Sequence, residues 1–146
     1  MKKKILIVVS HYYKEVANNL LKGAKETLLM YNKICSFQII NAPGSFEIPF
    51  LIKKNINEYD GFIALGCIIR GETYHFELIA DQCARKIMDL AIDFEKPIGF
   101  GVLTCENLEQ ALERSNPEKI NKGKEAAISC LNLLDHKSNM SKKNYG

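Results

Sequence analysis

The chain has 146 residues, of which 47% are hydrophobic and 25% charged, with five cysteines and a formal net charge of +3. That length suits one domain, and the composition excludes disorder, collagen and coiled coil for the bulk of the chain. The positive balance sits at the two ends: without Lys2, Lys3, Lys4, Lys137, Lys142 and Lys143, basic residues are outnumbered by the 17 acids, which argues against a nucleic-acid binder.

Residues 5–9 form a continuous apolar run, the mark of a strand buried on both faces. The run is too short to be a signal-peptide core, and no apolar run approaches the ~20 residues that span a bilayer. The chain reads as cytoplasmic. Val16, Leu20, Leu21, Ala24 and Leu28 then recur at helical spacing. A second strand is predicted over residues 34–40 and a helix over 46–56, with Pro49 in its first turn. Residues 61–69 read as a third strand. Ala80, Cys83, Ala84, Ile87, Ala91 and Phe94 mark a long amphipathic helix, and Pro97 opens a fourth strand over residues 98–104.

Glu106, Glu109 and Glu113 are placed on a short helix, with Glu106 in its first turn, Leu108, Ala111 and Leu112 facing inward, and Pro117 ending it. A last helix is predicted over residues 121–134. Residues 1–135 make one domain, and 136–146 a polar, frayed tail. Four rounds of strand and helix predict an α/β fold with a parallel sheet covered by helices on both faces. The edges and helix faces of so narrow a sheet call for cover in an oligomer.

Ligands in such folds bind at the carboxyl ends of the strands. That rule singles out residues 10–13, 41–47, 67–75 and 100–105. The third segment is the richest. Arg70, Glu72, Thr73 and His75 crowd beyond an apolar strand, Gly71 permits a tight turn, and the amides that open a helix attract anions. His75 is the imidazole at a strand end before a helix, suited to proton transfer at neutral pH; its plainer reading is a helix cap. Tyr12 offers a ring for stacking, residues 45–47 a ring-binding loop, and Arg114 and Lys122 a phosphate contact, although each is also an ordinary surface residue. The five cysteines show no CxxC and the three histidines no metal-ligand spacing, which makes a disulfide framework or a zinc site improbable. No GxGxxG and no GxxxxGK[ST] occurs.

Three blocks carry a resemblance. They are Ala42-Pro-Gly-Ser-Phe-Glu-Ile-Pro49, Leu65-Gly-Cys-Ile-Ile-Arg-Gly-Glu-Thr-Tyr-His75, and Phe100-Gly-Val-Leu-Thr104 followed by Glu109-Gln-Ala-Leu-Glu-Arg114 and Asn121-Lys-Gly123. In order and spacing the chain resembles the lumazine synthase family of riboflavin biosynthesis, over about residues 4–134. The resemblance implies a three-layer, flavodoxin-like α/β/α sandwich with a four-stranded parallel sheet. It also implies a homopentamer, or a multiple of pentamers, with active sites between neighbouring subunits, and a transferase that uses no metal or organic cofactor. The family condenses 5-amino-6-ribitylaminouracil with 3,4-dihydroxy-2-butanone 4-phosphate, giving 6,7-dimethyl-8-ribityllumazine, phosphate and water.

Residue by residue, the resemblance gives Tyr12 the stacking on the pyrimidine, where the family more often has Phe. Ser45, Phe46 and Glu47 match the loop that binds the pyrimidine and ribityl chain, and Cys67, Ile68 and Ile69 the strand end lining the same pocket. Glu72 and Thr73 match the turn that holds the butanone phosphate, and His75 the proton shuttle. From the neighbouring subunit, Phe100 matches a pocket wall and Arg114 the phosphate ligand; Lys122 and Glu125 match further pocket residues. His11 stands where a basic residue is common, and residues 115–120, with Pro117, replace a glycine-containing loop. Two rival readings are an archaeal-type riboflavin synthase, against which Arg70-Gly-Glu-Thr-Tyr-His75 and Arg114 speak, and a non-catalytic flavin or lumazine carrier or shell protein, against which the intact His75 and Arg114 speak.

Overall fold

A computed structural model describes residues 1–138. The chain runs β1 (Lys3–Ser10), α1 (Lys14–Met30), β2 (Cys35–Ala42), a 3-10 turn (Ser45–Glu47), α2 (Ile48–Lys54), β3 (Gly61–Ile69), α3 (His75–Asp93), β4 (Ile98–Cys105), α4 (Leu108–Ser115) and α5 (Lys122–Ser138). All strands are parallel, in the order β2-β1-β3-β4.

The two central strands explain the layering. Residues 5–9 and 62–65 are fully buried, because helices cover both sides. Ile5, Ile7 and Val9 point into a core with α1, α4 and α5, where Val16, Leu20, Ala24, Ala111, Ala127, Cys130 and Leu131 meet them. Leu6 and Val8 point the other way, into a core with Ile48 and Ile52 of α2 and Phe76, Cys83 and Ile87 of α3. Each such buried side chain favours folding by about 1.5–3 kcal/mol. The result is a three-layer sandwich with flavodoxin-like strand order.

Small residues set how close the layers come. A Cβ on Gly99 of β4 would lie 1.9 Å from the Ala126 carbonyl oxygen of α5, and one on Gly123 of α5 would lie 2.1 Å from the Leu20 carbonyl oxygen of α1. Only glycine lets α5 rest on the strand and the helix together. Asn121 enters α5 with φ 57°, a left-handed conformation that asparagine tolerates, and its Oδ1 accepts a 3.3 Å hydrogen bond from the Lys124 amide.

Several local expectations need correction. The predicted helix over 46–56 is a 3-10 turn followed by α2, because Pro49 fits only the first helical turn. Glu106 lies outside α4: Asn107 is its N-cap, accepting from the Gln110 amide at 2.8 Å, and Glu106 instead pairs with Arg70. Leu108 is exposed rather than inward-facing. The α4 helix ends at Ser115, where Asn116 leaves it extended, before Pro117 is reached. Ala84 is exposed, and Phe94 is the C-cap of α3. The α5 helix continues through His136 to Ser138, so the frayed tail does not begin at 136; its remainder, 139–146, lies outside the described residues.

The α3 helix is incompletely covered. Of its 19 residues only Phe76, Cys83 and Ile87 are buried, while Leu78, Met88 and Ile92 are exposed, the last two by 61% and 65%. Phe50 of α2 is 69% exposed and Phe100 of β4 is also open to solvent. An apolar face this extended on the α2–α3 layer is atypical of a monomer.

Candidate functional site

The chain progresses outward from the centre of the sheet in both directions, β1 to β2 and β3 to β4. The crevice at the carboxyl ends of β1 and β3 is therefore the topological switch point, where open α/β sheets take ligands. Three segments bound it. Tyr12 follows β1 and is exposed, its ring 5.0 Å from that of Tyr13 in an edge-on contact. The 3-10 turn after β2 exposes Phe46, half-buries Glu47 and buries Ser45. The Ser45 carbonyl accepts from the Cys83 thiol at 3.3 Å, tying this turn to α3. Cys67, Ile68 and Ile69 end β3, and residues 70–75 follow as an exposed turn that opens α3.

Polar groups are held unspent at the floor. The Ser10 and Ser45 hydroxyls are buried, and neither has a hydrogen-bond partner among the described residues. Both border Gly66 of β3. Burial pushes the Cys67 thiol up to about 12, helped by Cys105 alongside it, so it stands protonated and is no nucleophile at neutral pH. Burial also raises the Tyr13 phenol, with Tyr12 and Cys67 adding to the effect. Cys83 is pushed up to about 11 and Cys130 to about 12, both chiefly by burial, which makes them core residues.

His75 is the first residue of α3, and its amide donates to the Thr73 hydroxyl at 3.3 Å. It does not cap the helix; Tyr74 holds that position. His75 is exposed and follows Glu72 and Thr73 at a helix N-terminus, a place that favours anions.

The remaining candidates stand elsewhere. Phe100 lies in mid-β4, opposite Ala64 and on the α2–α3 side of the sheet. Arg114 is in the last turn of α4, and Lys122 and Glu125 open α5, joined by a 3.1 Å ion pair. Among the described residues no hydrogen bond or ion pair links these four to Tyr12, the 3-10 turn or His75. Arg114 acts electrostatically on Cys105, whose thiol is hydrogen-bonded to that of Cys67 at the end of β3. No cluster of three His, Cys, Asp or Glu side chains able to hold a metal ion occurs among the described residues, and no described helix is long and apolar enough to cross a membrane.

Sequence reasoning noted Arg70 but gave it no role, and it missed Glu77 and Glu106. Arg70 Nε donates to both carboxylate oxygens of Glu106 at 2.9 and 3.1 Å, and Nη1 donates to Glu77. The guanidinium holds the Glu77 carboxyl below the usual carboxylate range. The available signal was a lone arginine at a strand end with a carboxylate seven residues on.

The family model of 6,7-dimethyl-8-ribityllumazine synthase matches residues 2–138. A protein of that name from Bartonella tribocorum is 44% identical over 139 residues, covering 92% of this chain and 91% of its own. One from Ruthia magnifica subsp. Calyptogena magnifica is 40% identical over 141 residues, 91% of this chain and 84% of its own. A third, from Bartonella bacilliformis, is 43% identical over 134 residues, 89% and 87% of the two chains. With likeness of this extent on a sheet whose switch point gathers the same motifs, the chain belongs to the 6,7-dimethyl-8-ribityllumazine synthase family.

Proposed function

We propose that this chain condenses 5-amino-6-ribitylaminouracil with 3,4-dihydroxy-2-butanone 4-phosphate, releasing 6,7-dimethyl-8-ribityllumazine, phosphate and water, as a cytoplasmic homopentamer without metal or organic cofactor. The observation that carries this is the convergence of Tyr12, the 3-10 turn, the β3 end and residues 72–75 on the β1/β3 switch point.

The amine attacks the ketone and loses water to give a Schiff base, phosphate leaves, and ring closure expels a second water. Tyr12 stacks on the pyrimidine, and Ser45, Phe46 and Glu47 hold its edge and the ribityl chain. Cys67, Ile68 and Ile69 line the wall. Glu72 and Thr73 present the turn that receives the phosphate, and His75 moves protons at the reacting nitrogen. Much of the rate comes from holding two substrates together, which makes a bimolecular step nearly unimolecular. None of these steps requires a strong nucleophile, in keeping with a protonated Cys67.

Phe100 and Arg114 serve the site of the adjoining subunit, and Lys122 and Glu125 line the pocket near the ribityl chain and phosphate. The exposed apolar face of α2 and α3, on whose side of the sheet Phe100 lies, supports this, since a neighbouring copy would cover it.

The test is a two-substrate assay that follows lumazine fluorescence above the uncatalysed background. His75→Ala should lower turnover by about 100-fold, the low end for acid–base catalysis when proximity supplies the rest. The variant should keep its assembly size by gel filtration. Unchanged turnover removes His75 from the mechanism.

A further inference from the structure

The turn over residues 71–75 has little backbone support. Residues 71–73 make no backbone–backbone hydrogen bond among the described residues, and all five residues are exposed. Yet the same turn is the one that must present amides and a hydroxyl to a phosphate in a fixed arrangement. Something has to hold its mouth closed.

Arg70 stands at the entrance and is fixed at both levels. Its amide donates to the Cys105 carbonyl at 2.9 Å, which pins the end of β3 to the end of β4. Its side chain then reaches over the turn. Nη1 donates to Glu77, and the guanidinium carbon lies 4.5 Å from the Phe76 ring centre. Phe76 and Glu77 are the second and third residues of α3, just past the exit. Nε spans both oxygens of Glu106, beyond β4. One planar group thus joins the entrance, the exit and the neighbouring strand end. An isolated exposed ion pair does little. A guanidinium shared by two carboxylates and stacked on a ring restricts direction as well as distance, which an ammonium cannot do.

We propose that Arg70 is a positioning residue that staples this turn shut, so that the amides of residues 71–73 and the Thr73 hydroxyl stand preformed for the phosphate monoester of the substrate. The inference rests on the synthase reading given above. Preformation saves the ordering cost that a loose turn meets on binding, so its loss falls on the phosphate substrate and not on the pyrimidine.

Steady-state kinetics of Arg70→Ala, Arg70→Lys and Glu106→Gln, with each substrate varied in turn, test it. Arg70→Ala should raise KM for the butanone phosphate by about 10-fold or more, with the pyrimidine KM changed by less than about twofold. Arg70→Lys should recover only a minor part, because charge without the fork cannot close the turn. If Arg70→Ala fails to fold, Glu106→Gln, which alters one exposed carboxylate, should show the same split on a smaller scale. Equal rises in both KM values, or full rescue by lysine, overturn the staple.

A second readout does not depend on catalysis. A glutamate-specific protease should cut after Glu72 about 10-fold faster in Arg70→Ala than in the parent, since cleavage follows the open population of the turn. Equal cleavage rates overturn the staple. A parent that does not condense the two substrates overturns the synthase reading instead, and leaves the cleavage comparison standing.

Discussion

Arg114→Ala is expected to lower kcat/KM for 3,4-dihydroxy-2-butanone 4-phosphate by about 10²- to 10³-fold, the range seen when a preorganised donor to developing charge is removed. The two arginines near the strand ends differ in what they already hold. Arg70 is taken up by Glu77 and Glu106. Arg114 is half-buried in the last turn of α4, with no hydrogen bond or ion pair among the described residues. Its place near a helix C-terminus suits a cation. A guanidinium in this condition is free to grip a phosphate with two parallel bonds and to stabilise it as it departs. Arg114→Lys keeps the charge and loses the fork, so it should recover part of the rate. Initial rates with each substrate varied separately check this. If only the pyrimidine KM changed, the phosphate role would be wrong.

Gly99→Ala is expected to cause the largest loss of stability among single methyl additions in the layer contact. The added Cβ would meet the Ala126 carbonyl oxygen at 1.9 Å and its carbon at 2.8 Å. Both atoms belong to the backbone of α5, so no side-chain rotation relieves the clash, and the helix must move off β4. Overpacking costs about 1–3 kcal/mol and sometimes more, and a backbone contact belongs at the upper end. At that size the melting temperature should fall by about 10 °C. Gly71→Ala makes the control: a Cβ there meets nothing within 4 Å, and the melting temperature should stay within about 2 °C. Thermal melts at equal protein concentration compare the two, since assembly makes melting concentration-dependent. A Gly99→Ala protein as stable as the parent would contradict this packing of α5 on the sheet.

Much of the fold was legible because buried parallel strands leave an unmistakable trace. The predicted bounds of β3 agree with the strand Gly61–Ile69, and β1 shows the continuous burial its apolar run implied. Helix starts were harder. The sequence places Glu106 near enough to a helix N-terminus to be counted in it, but Asn107 is the better cap and fixes the start two residues later. The start of α3 was nearly legible: reading His75 as its cap is one residue off, since His75 is its first residue and Tyr74 the cap.

The switch-point candidates were legible from the rule about strand ends. Arg114 and Lys122 could be named as phosphate contacts but not separated from ordinary surface charges by spacing, and only the resemblance gave Phe100 and Glu125 a role. On the proposed shared site the logic of Phe100 and Arg114 lies between chains, and one chain's periodicity carries no information about a neighbour. The α3 face illustrates this. Its exposed Met88 and Ile92 break the amphipathic pattern, which the proposed assembly would account for by covering them. The Arg70 cluster was illegible for a similar reason: Glu106 is 36 residues away and meets Arg70 only because β3 and β4 are adjacent.

The central claim is that this chain is a lumazine-forming enzyme whose site is shared between neighbouring subunits. Co-expression of His75→Ala with Arg114→Ala, followed by the two-substrate assay on the mixed assembly, tests it most directly. Each variant alone should be nearly inactive. In a randomly mixed ring, about a quarter of the interfaces pair an intact His75 with a neighbour's intact Arg114, so the mixed assembly should regain about a quarter of the parent's activity. Activity no greater than that of the two variants measured separately would place His75 and Arg114 in the same subunit's site, or outside the reaction, and contradict the claim.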